Sequence, residues 1–491
     1  MNILGRLLLL AGVVVAWWSL LAFNATIQPM KTPTHTLSLQ ETSDKVVDNV
    51  ITIVGKWGDY IHGKSYQQEA LVTYKGWQYT TYYNANRKLC VARRELPSGT
   101  WWNIVFSDYT YLGDDNHNVP VIGISPKDGT IHLAFDHHGD PLHYRVSATN
   151  AANDPSSITW EASLFGPVID HVVSGNPMNR VTYPRFVRAP DGRLFLFYRQ
   201  GSATNGRMWM SVYDPSSGGW AMQWQVTEST GGYRFDGKTS TARNAYQNNT
   251  CIDANGRIHM SWVWREDKPL QNGQHDLCYM YSDDGGATFR NHLGAIVTQG
   301  STRAGVNTAD ITVWSINPWR GLKNQQAMAI DSNGRPHIVM WYLADTAPNV
   351  AIGAKDHTQS KYHHFWQTTD DKWHKQELLL DLADDKWTVR PHLAFGTNDR
   401  LFLVYNHDDN IAVAAATAEG GYSDWRLIEE RSGSFTGEAK IDIHRLRNES
   451  ILSVYMHERP SAAHEAMPLH IIDFKILDNN TIGVKRQKTA D

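Results

Sequence analysis

Cysteine is scarce. Cys90, Cys251 and Cys278 are the three in 491 residues, too few for a disulfide framework and an odd count that leaves at least one thiol unpaired within the chain. An excess of one charge is also missing: 46 Lys plus Arg stand against 50 Asp plus Glu, a formal net charge of -4. No overall field attracts DNA or RNA, and nucleic acid is not an expected partner. Charged residues make up 20% and hydrophobic ones 41%, which excludes collagen, coiled coil and long disorder. From about Ala70 onward no long stretch carries the helical period, so a helical body is excluded too. Stability must then come from core burial, and a chain of this size buries roughly three quarters of its extended surface. What is abundant is aromatic: 19 Trp, 21 Tyr and 14 Phe. Such residues suit strand faces, and they also suit platforms on which sugar rings stack.

The N-terminus reads as an export signal. Met1 to Arg6 is short and positive, and Leu7 to Phe23 is an unbroken apolar and small-residue run, at the lower edge of what crosses a bilayer. Asn24 to Pro29 lacks a small-x-small cleavage site, which leaves an uncleaved membrane anchor open. Residues 30–48, rich in Thr, Ser, Lys and Asp, read as a solvated tether. The expected organisation is a signal peptide or anchor over 1–29, a tether over 30–48, one body over 49–478 and a tail over 479–491. The expected location is outside the cytoplasm: secreted, periplasmic or anchored at the cell surface, with the chain acting as a monomer.

One phrase recurs through the body, a polar turn with Asp or Asn and Gly followed by an apolar strand. It appears before Ile131–Phe135, Leu194–Tyr198, Ile258–Trp262, His337–Trp341 and Leu401–Tyr405. Weaker copies in Ala70–Phe106 and Ile441–Phe474 bring the units to about seven. A hydrophobic strand, a hairpin and a more polar outer strand is the blade plan of a β-propeller, which leaves only short protected edges. The expected fold class is all-β, a seven-bladed β-propeller behind the hydrophobic N-terminal segment. Ser282-Asp283-Asp284-Gly285-Gly286-Ala287-Thr288-Phe289 matches the S-x-D-x-G-x-T-[WF] Asp-box of sialidase-type propellers, a turn that marks architecture and carries no chemistry. A β-sandwich pair and a parallel β-helix are the competing topologies.

Propellers bind ligands where blade loops converge. The densest polar cluster lies in the second unit, where five of 22 histidines fall between 117 and 143. It runs Asp114-Asp115-Asn116-His117-Asn118, then Phe135-Asp136-His137-His138-Gly139-Asp140, then His143. His117 and His137 sit at equivalent ends of neighbouring elements and could face one cleft. A His pair with Asp114 or Asp136 holding a divalent ion is a rival reading, although the spacing matches no ligand signature; simple loop-capping by His137 and His138 is another. In the third unit Arg199 interrupts the apolar strand end Phe197-Tyr198-Arg199-Gln200-Gly201. A guanidinium there is costly unless it meets an anion, and its planar fork suits a carboxylate, whether of a substrate or of a loop Asp. Tyr246, in the polar run Arg243-Asn244-Ala245-Tyr246, is expected to point towards the same end as Tyr183.

These segments resemble the propeller-fold polysaccharide lyases, the ulvan lyases and related rhamnosyl-glucuronate lyases among BNR-repeat proteins. The resemblance rests on Asp115-Asn116-His117-Asn118, Phe135-Asp136-His137-His138, Thr182-Tyr183-Pro184-Arg185-Phe186, Tyr198-Arg199-Gln200-Gly201, Trp262-Val263-Trp264-Arg265-Glu266 and His275-Asp276-Leu277-Cys278-Tyr279, and it covers roughly residues 70 to 475. It implies His117 and Tyr183 as the proton-transfer pair, His137 as a second active-site histidine and Arg199 as the neutraliser of a uronate carboxylate. Asn116, His138, Tyr246 and Arg243 are then expected to contact an anionic polysaccharide. A structural zinc is implied as well, with His275, Cys278 and Cys251 as candidate soft ligands.

The chemistry is coherent with these residues. β-Elimination at a 4-linked uronate removes the proton on carbon 5, and the neighbouring carboxylate opposes the negative charge that develops. A cation must quiet that charge, and two parallel hydrogen bonds from Arg199 would strengthen as the enolate forms. A neutral His117 can take a proton at neutral pH and Tyr183 can donate one, or the roles can be exchanged; the scheme itself demands no metal. A glycoside hydrolase of sialidase-like type using two of Asp114, Asp115, Asp136 and Asp140, and a non-catalytic sugar-binding propeller with Trp101, Trp102 or Trp220 as platforms, are the alternatives. Arg185, Arg188, Lys238 and Arg243 are candidate sulfate contacts, or plain surface charges.

Overall fold

The computed structural model describes residues 34–51, 61–64, 69–354, 358–380, 390–459 and 467–481. The expected signal or anchor over 1–29 lies outside these, as does most of the expected tail. Among the described residues no helix is long and apolar enough to cross a membrane. The chain divides into a body, Leu37–Leu477, and a small unit of Met1–Thr36 with Asp478–Asp491, of which only strand ends are described.

The body is almost wholly β and propeller-like, built of short antiparallel meanders. The first is Leu71–Tyr74, Trp77–Tyr83, Lys88–Glu95 and Trp102–Thr110. Val121–Ile124, Ile131–Ala134 and Tyr144–Val146 make a three-stranded sheet. Two meanders, running from Val181–Arg188 to Gly219–Gln225 and from Lys238–Ile252 to Thr288–Arg290, join through a single parallel pairing of Gly206 with Asn244. Two more four-stranded sheets follow, over Ala327–Glu377 and His392–Arg431. In the last sheet Phe435–Ile441, Ile451–Glu458 and Leu469–Thr481 are joined by Thr34–Asp48 from the N-terminal side. Residues 34–48 therefore form a strand where a tether was expected. Leu37 and Leu39 are buried while Ser38 between them is half-buried and Gln40 is exposed, a period-two pattern that overall polarity conceals.

Each of the five recurring phrases forms a turn and an inner strand; in four of them a turn carboxylate and a glycine act together, and in the fifth Asn398 and Asp399 take the positive φ themselves. Asp253 Oδ1 accepts from the backbone N–H of Asn255 and Arg257, both at 2.9 Å, and Asp331 Oδ1 accepts from Asn333 at 3.0 Å and Arg335 at 2.8 Å. Gly256 and Gly334 follow at φ +85° and +76°, which a side chain would resist. The strands they launch are buried on both faces, every residue of Ile131–Ala134 and Pro336–Leu343 included, so they read as continuous apolar runs. Two of their internal histidines are hydrogen-bonded across the sheet. His132 Nδ1 lies 2.6 Å from Tyr144 Oη, and His259 Nδ1 lies 2.7 Å from Tyr279 Oη.

The Asp-box folds as its composition demands. Asp284 Oδ1 accepts from Ser282 Oγ at 2.8 Å and Thr288 N at 2.9 Å, while Oδ2 accepts from Thr288 Oγ1 at 2.7 Å. Asp284→Ala should lower stability by roughly 1–2 kcal/mol, the turn being solvent-exposed, and thermal denaturation should show this with turnover per folded molecule unchanged. One short helix, Ile443–Glu449, interrupts the all-β pattern. Asp442 caps it by accepting from Arg445 N at 3.1 Å.

Candidate active site

Strand pairing assembles the site. Thr182 is the register partner of His138 on one side and of Arg199 on the other, so side chains from three adjacent strands meet in one row. The register then shifts between Thr182 and Arg185. Two residues, Tyr183 and Pro184, oppose Tyr198 alone, and Tyr183 adopts φ +55°. A bulge with a bulky residue in the left-handed region is unfavourable by itself and persists where surrounding structure enforces it, commonly to aim a functional side chain. Here it turns Tyr183 towards both histidines: its ring centroid lies 6.1 Å from that of His117 and 6.4 Å from that of His138. The imidazoles of His117 and His138 stack at 4.0 Å and 11°.

Asp115 holds these two rings. Its Oδ1 lies 2.5 Å from His117 Nδ1 and its Oδ2 lies 2.8 Å from His138 Nδ1. Burial opposes the charge on Asp115, yet the hydrogen bonds from both histidines outweigh it and hold the carboxyl well below the usual range. A carboxylate accepts only, so both imidazoles donate from Nδ1, and a ring that is neutral then carries its lone pair on Nε2. Burial, only partly offset by Asp115, lowers His117 from 6.5 to about 4 and keeps it neutral at ordinary pH.

The cation stands on the other side of Tyr183. Arg199 lies with Cζ 5.0 Å from the Tyr183 ring centroid and 5.8 Å from that of Tyr246. Its Nη2 donates to Thr182 Oγ1 at 2.7 Å, whereas Nε and Nη1 are buried without a hydrogen-bond partner. Buried guanidinium donors left unsatisfied are costly, and either one, paired with the second N–H of Nη2, completes an edge that suits an entering anion. Tyr246 is flanked by a second cation, with Arg265 Nη1 donating to its Oη at 3.0 Å. Burial raises the Tyr246 phenol, but Arg199 and Arg265 together outweigh burial and bring it below its usual value of 10.

His117, His138, Tyr183, Arg199 and Tyr246 are thus gathered at one place. Others expected there are not. His137 is buried, and its Nε2 accepts from the backbone N–H of His143 at 2.7 Å. Neighbouring residues of an extended segment face opposite sides, so His138 takes the place beside His117 that was expected for His137. Asn116 is buried. Arg243 is closed off: its Nε and Nη2 donate to Glu266 Oε1 and Oε2 at 2.6 and 3.1 Å, with both side chains fully buried. It contacts neither sulfate nor sugar in this arrangement. Arg243→Met removes the bidentate partner of buried Glu266 and leaves His275 Nε2 beside it at 3.0 Å, and should cost roughly 3 kcal/mol in chemical denaturation. Of the other candidate sulfate contacts, Arg185 is buried against Asn249 and Arg188 donates to the Thr73 carbonyl, while Lys238 is exposed. Trp220 packs with His132, Tyr144 and Tyr213, so it is core and no sugar platform.

The zinc ligands anticipated do not converge. His275 Nε2 lies 3.0 Å from Glu266 and Nδ1 3.0 Å from Asp276. Burial works against its charge, but these two carboxylates raise its pKa, and each ring nitrogen is engaged by an acid. Cys278 approaches Thr312, and Cys251 lies two strands away with Sγ 3.4 Å from the Met328 carbonyl. The His-pair metal reading names Asp114 or Asp136; among the described residues the histidines are grouped with Asp115 instead, whose two oxygens accept from their Nδ1 atoms. Asp115 and Arg265 are the residues whose roles were missed. The first lies two positions before His117, and the second depends on its strand pairing with Asn244, one residue from Arg243.

A stacked histidine pair on one carboxylate, a bulged tyrosine and a buried guanidinium are set on a scaffold of antiparallel meanders in a propeller-like protein. The chain belongs to the BNR repeat-containing family, whose profile matches residues 77–379. Among characterised relatives it is similar to the long isoform of ulvan lyase from Alteromonas sp. (strain LOR), at 25% identity over 50% of this chain and 28% of that one. The long isoform from Pseudoalteromonas sp. (strain PLSV) is 26% identical over 47% of this chain and 26% of its own length. Each match therefore spans little more than a quarter of the relative. Among solved structures, polysaccharide lyase Uly1 superposes with a TM-score of 0.68 at 18% identity, over 88% of this chain and 99% of that one. A PL25 ulvan lyase bound to -[GlcA(1-4)Rha3S]- gives 0.62 at 14% identity, over 89% and 96%. At such identities these two structures establish the shared fold.

Proposed function

We propose that the protein is a polysaccharide lyase that cleaves a uronate-containing, ulvan-like polysaccharide by β-elimination. The observation that carries this reading is Arg199, whose buried Nε and Nη1 lack partners beside Tyr183 and Tyr246. A uronate carboxylate matches a guanidinium edge made by one of these donors with Nη2, and lets the guanidinium absorb the charge that grows as carbon 5 loses its proton. His117, neutral and held with its lone pair on Nε2, takes the proton. The electron pair forms the double bond between carbons 4 and 5, the bond from carbon 4 to the glycosidic oxygen breaks, and Tyr183 donates its phenolic proton to the departing oxygen. His138 braces the base through the shared Asp115. The names of the relatives support the substrate class, and the meanders support a ring of seven blades closed by Thr34–Asp48. A polymer of this kind is met outside the cell, which agrees with the apolar N-terminal run as an export signal.

The test is incubation of the purified protein with ulvan and with a gum-type rhamnoglucuronan. New reducing ends should appear together with the ultraviolet absorbance of an unsaturated uronate. Reducing ends without that absorbance would make the protein a hydrolase, and binding without cleavage would make it a sugar-binding propeller.

A further inference from the structure

Far from Arg199 in sequence, a second polar cluster has unfinished valences of its own. His363 lies in the strand Ser360–Gln367, with Glu377 of Trp373–Glu377 as its cross-strand partner. Asp345 lies just past the end of Pro336–Leu343. The His363 ring is fully buried and stacked against Tyr342 at 3.7 Å and 11°. Its Nε2 has no hydrogen-bond partner, although it points at two carboxylates, 3.4 Å from Glu377 Oε2 and 3.7 Å from Asp345 Oδ1. Those gaps exceed the roughly 2.7–3.2 Å of a nitrogen-to-oxygen hydrogen bond. They are close to the edge of a tetrahedron around an ion bound at about 2.0–2.1 Å, which is about 3.3 Å. The three ligand atoms lie within 4.8 Å of one another.

We infer that Asp345, His363 and Glu377 form a binding site for one divalent transition-metal ion of the zinc class, with the fourth position open to water. One imidazole and two carboxylates suit such an ion. Lys375 Nζ lies 2.6 Å from both Asp345 oxygens and supplies the positive charge in the arrangement seen here; it would give way to the ion. Asp345 N donates to Glu377 Oε2 at 2.7 Å, fixing the two acidic groups relative to each other. The contrast with Asp115 is informative, because there the same residue types sit at hydrogen-bond distance and are already mutually satisfied. The bound ion would staple the ends of three successive strands, a structural role separate from the chemistry at Arg199.

The test uses zinc alone on the metal-stripped full chain, with calorimetric titration and thermal denaturation. The expected result is one bound Zn²⁺ and a midpoint raised on the order of 2–3 °C at saturating metal. His363→Ala and, independently, the less disruptive Glu377→Gln should each weaken binding at least tenfold. Lys375→Ala should tighten it severalfold, a direction that a plain surface ion-pair network does not produce. The inference is overturned if zinc leaves the midpoint unmoved, if H363A and E377Q bind as tightly as the unaltered protein, or if binding is lost in Cys278→Ser instead. None of these readouts depends on polysaccharide cleavage, so the outcome is independent of the proposed lyase activity.

Discussion

Replacing Arg199 with Met should lower kcat/KM on a uronate polymer by roughly three orders of magnitude, with the loss falling mainly on kcat. The distribution follows from when the interaction is strongest. In the ground state the carboxylate carries one charge shared between two oxygens. As carbon 5 is deprotonated the same group becomes an enolate, and the two parallel N–H donors on one edge of the guanidinium, Nη2 with either Nε or Nη1, bind it more tightly than before. Arg199→Lys keeps the charge and loses the parallel pair, so its activity should lie between the two. Folding is not at issue, because the native guanidinium already leaves two buried donors unmatched and Met fills similar volume without them. The measurement is steady-state turnover from the unsaturated-product absorbance, with a thermal midpoint for each variant. Turnover of R199M within a few fold of the unaltered protein would mean that the substrate acid is met by another residue, Arg265 being nearest to hand through Tyr246.

Much of this was legible beforehand, and the limits have identifiable causes. The turn phrases were readable because their information is local: Asp253 reaches only to Asn255 and Arg257, so its chemistry is written within five residues. Arg199 was readable because a guanidinium at the end of Leu194-Phe195-Leu196-Phe197-Tyr198 stands out against its own strand. Arg243 looks the same in the sequence and behaves in the opposite way. Its partner Glu266 stands 23 residues later and faces it only through the register of two neighbouring strands. His137 and His138 differ by one position, and in an extended segment one position reverses the side that a residue faces. That choice was settled by the pairing of His138 with Thr182, a long-range fact. The zinc assignment failed likewise: Cys251 and Cys278 lie on strands with Ile258–Glu266 between them, and His275 spends both ring nitrogens on acids. Residues 34–48 were misjudged because composition was weighed there while alternation was not.

The second large effect concerns Asp115, which touches both histidines and is placed to contact no sugar itself. Asp115→Asn should reduce kcat by roughly 10²- to 10⁴-fold, although His117 and His138 remain in place. An amide offers one acceptor and two donors where the carboxylate offers two acceptors. One imidazole must then accept at Nδ1 and carry its proton on Nε2, and if that ring is His117 the proton acceptor is gone. The pH dependence should show the same linkage. His117 is lowered from 6.5 to about 4 because burial disfavours its charged form, so it is neutral across the neutral and mildly acidic range. As pH falls through about 4 it gains a proton, and activity should decline tenfold for each further unit of pH. Stability should begin to fall earlier, as pH drops below 6.5, because the unfolded chain binds a proton at this site before the folded one does. Asp115 itself stays ionised throughout, its pKa being lower still. Asp115 also raises the pKa of His117 through its hydrogen bond and charge, so in D115N the acid limb should move to lower pH even as the plateau drops. A variant that loses activity merely by local unfolding would keep the limb where it was or move it upward. The direction of that shift, measured as log kcat/KM against pH for both proteins, therefore distinguishes a carboxylate that orients two bases from one that only fills space.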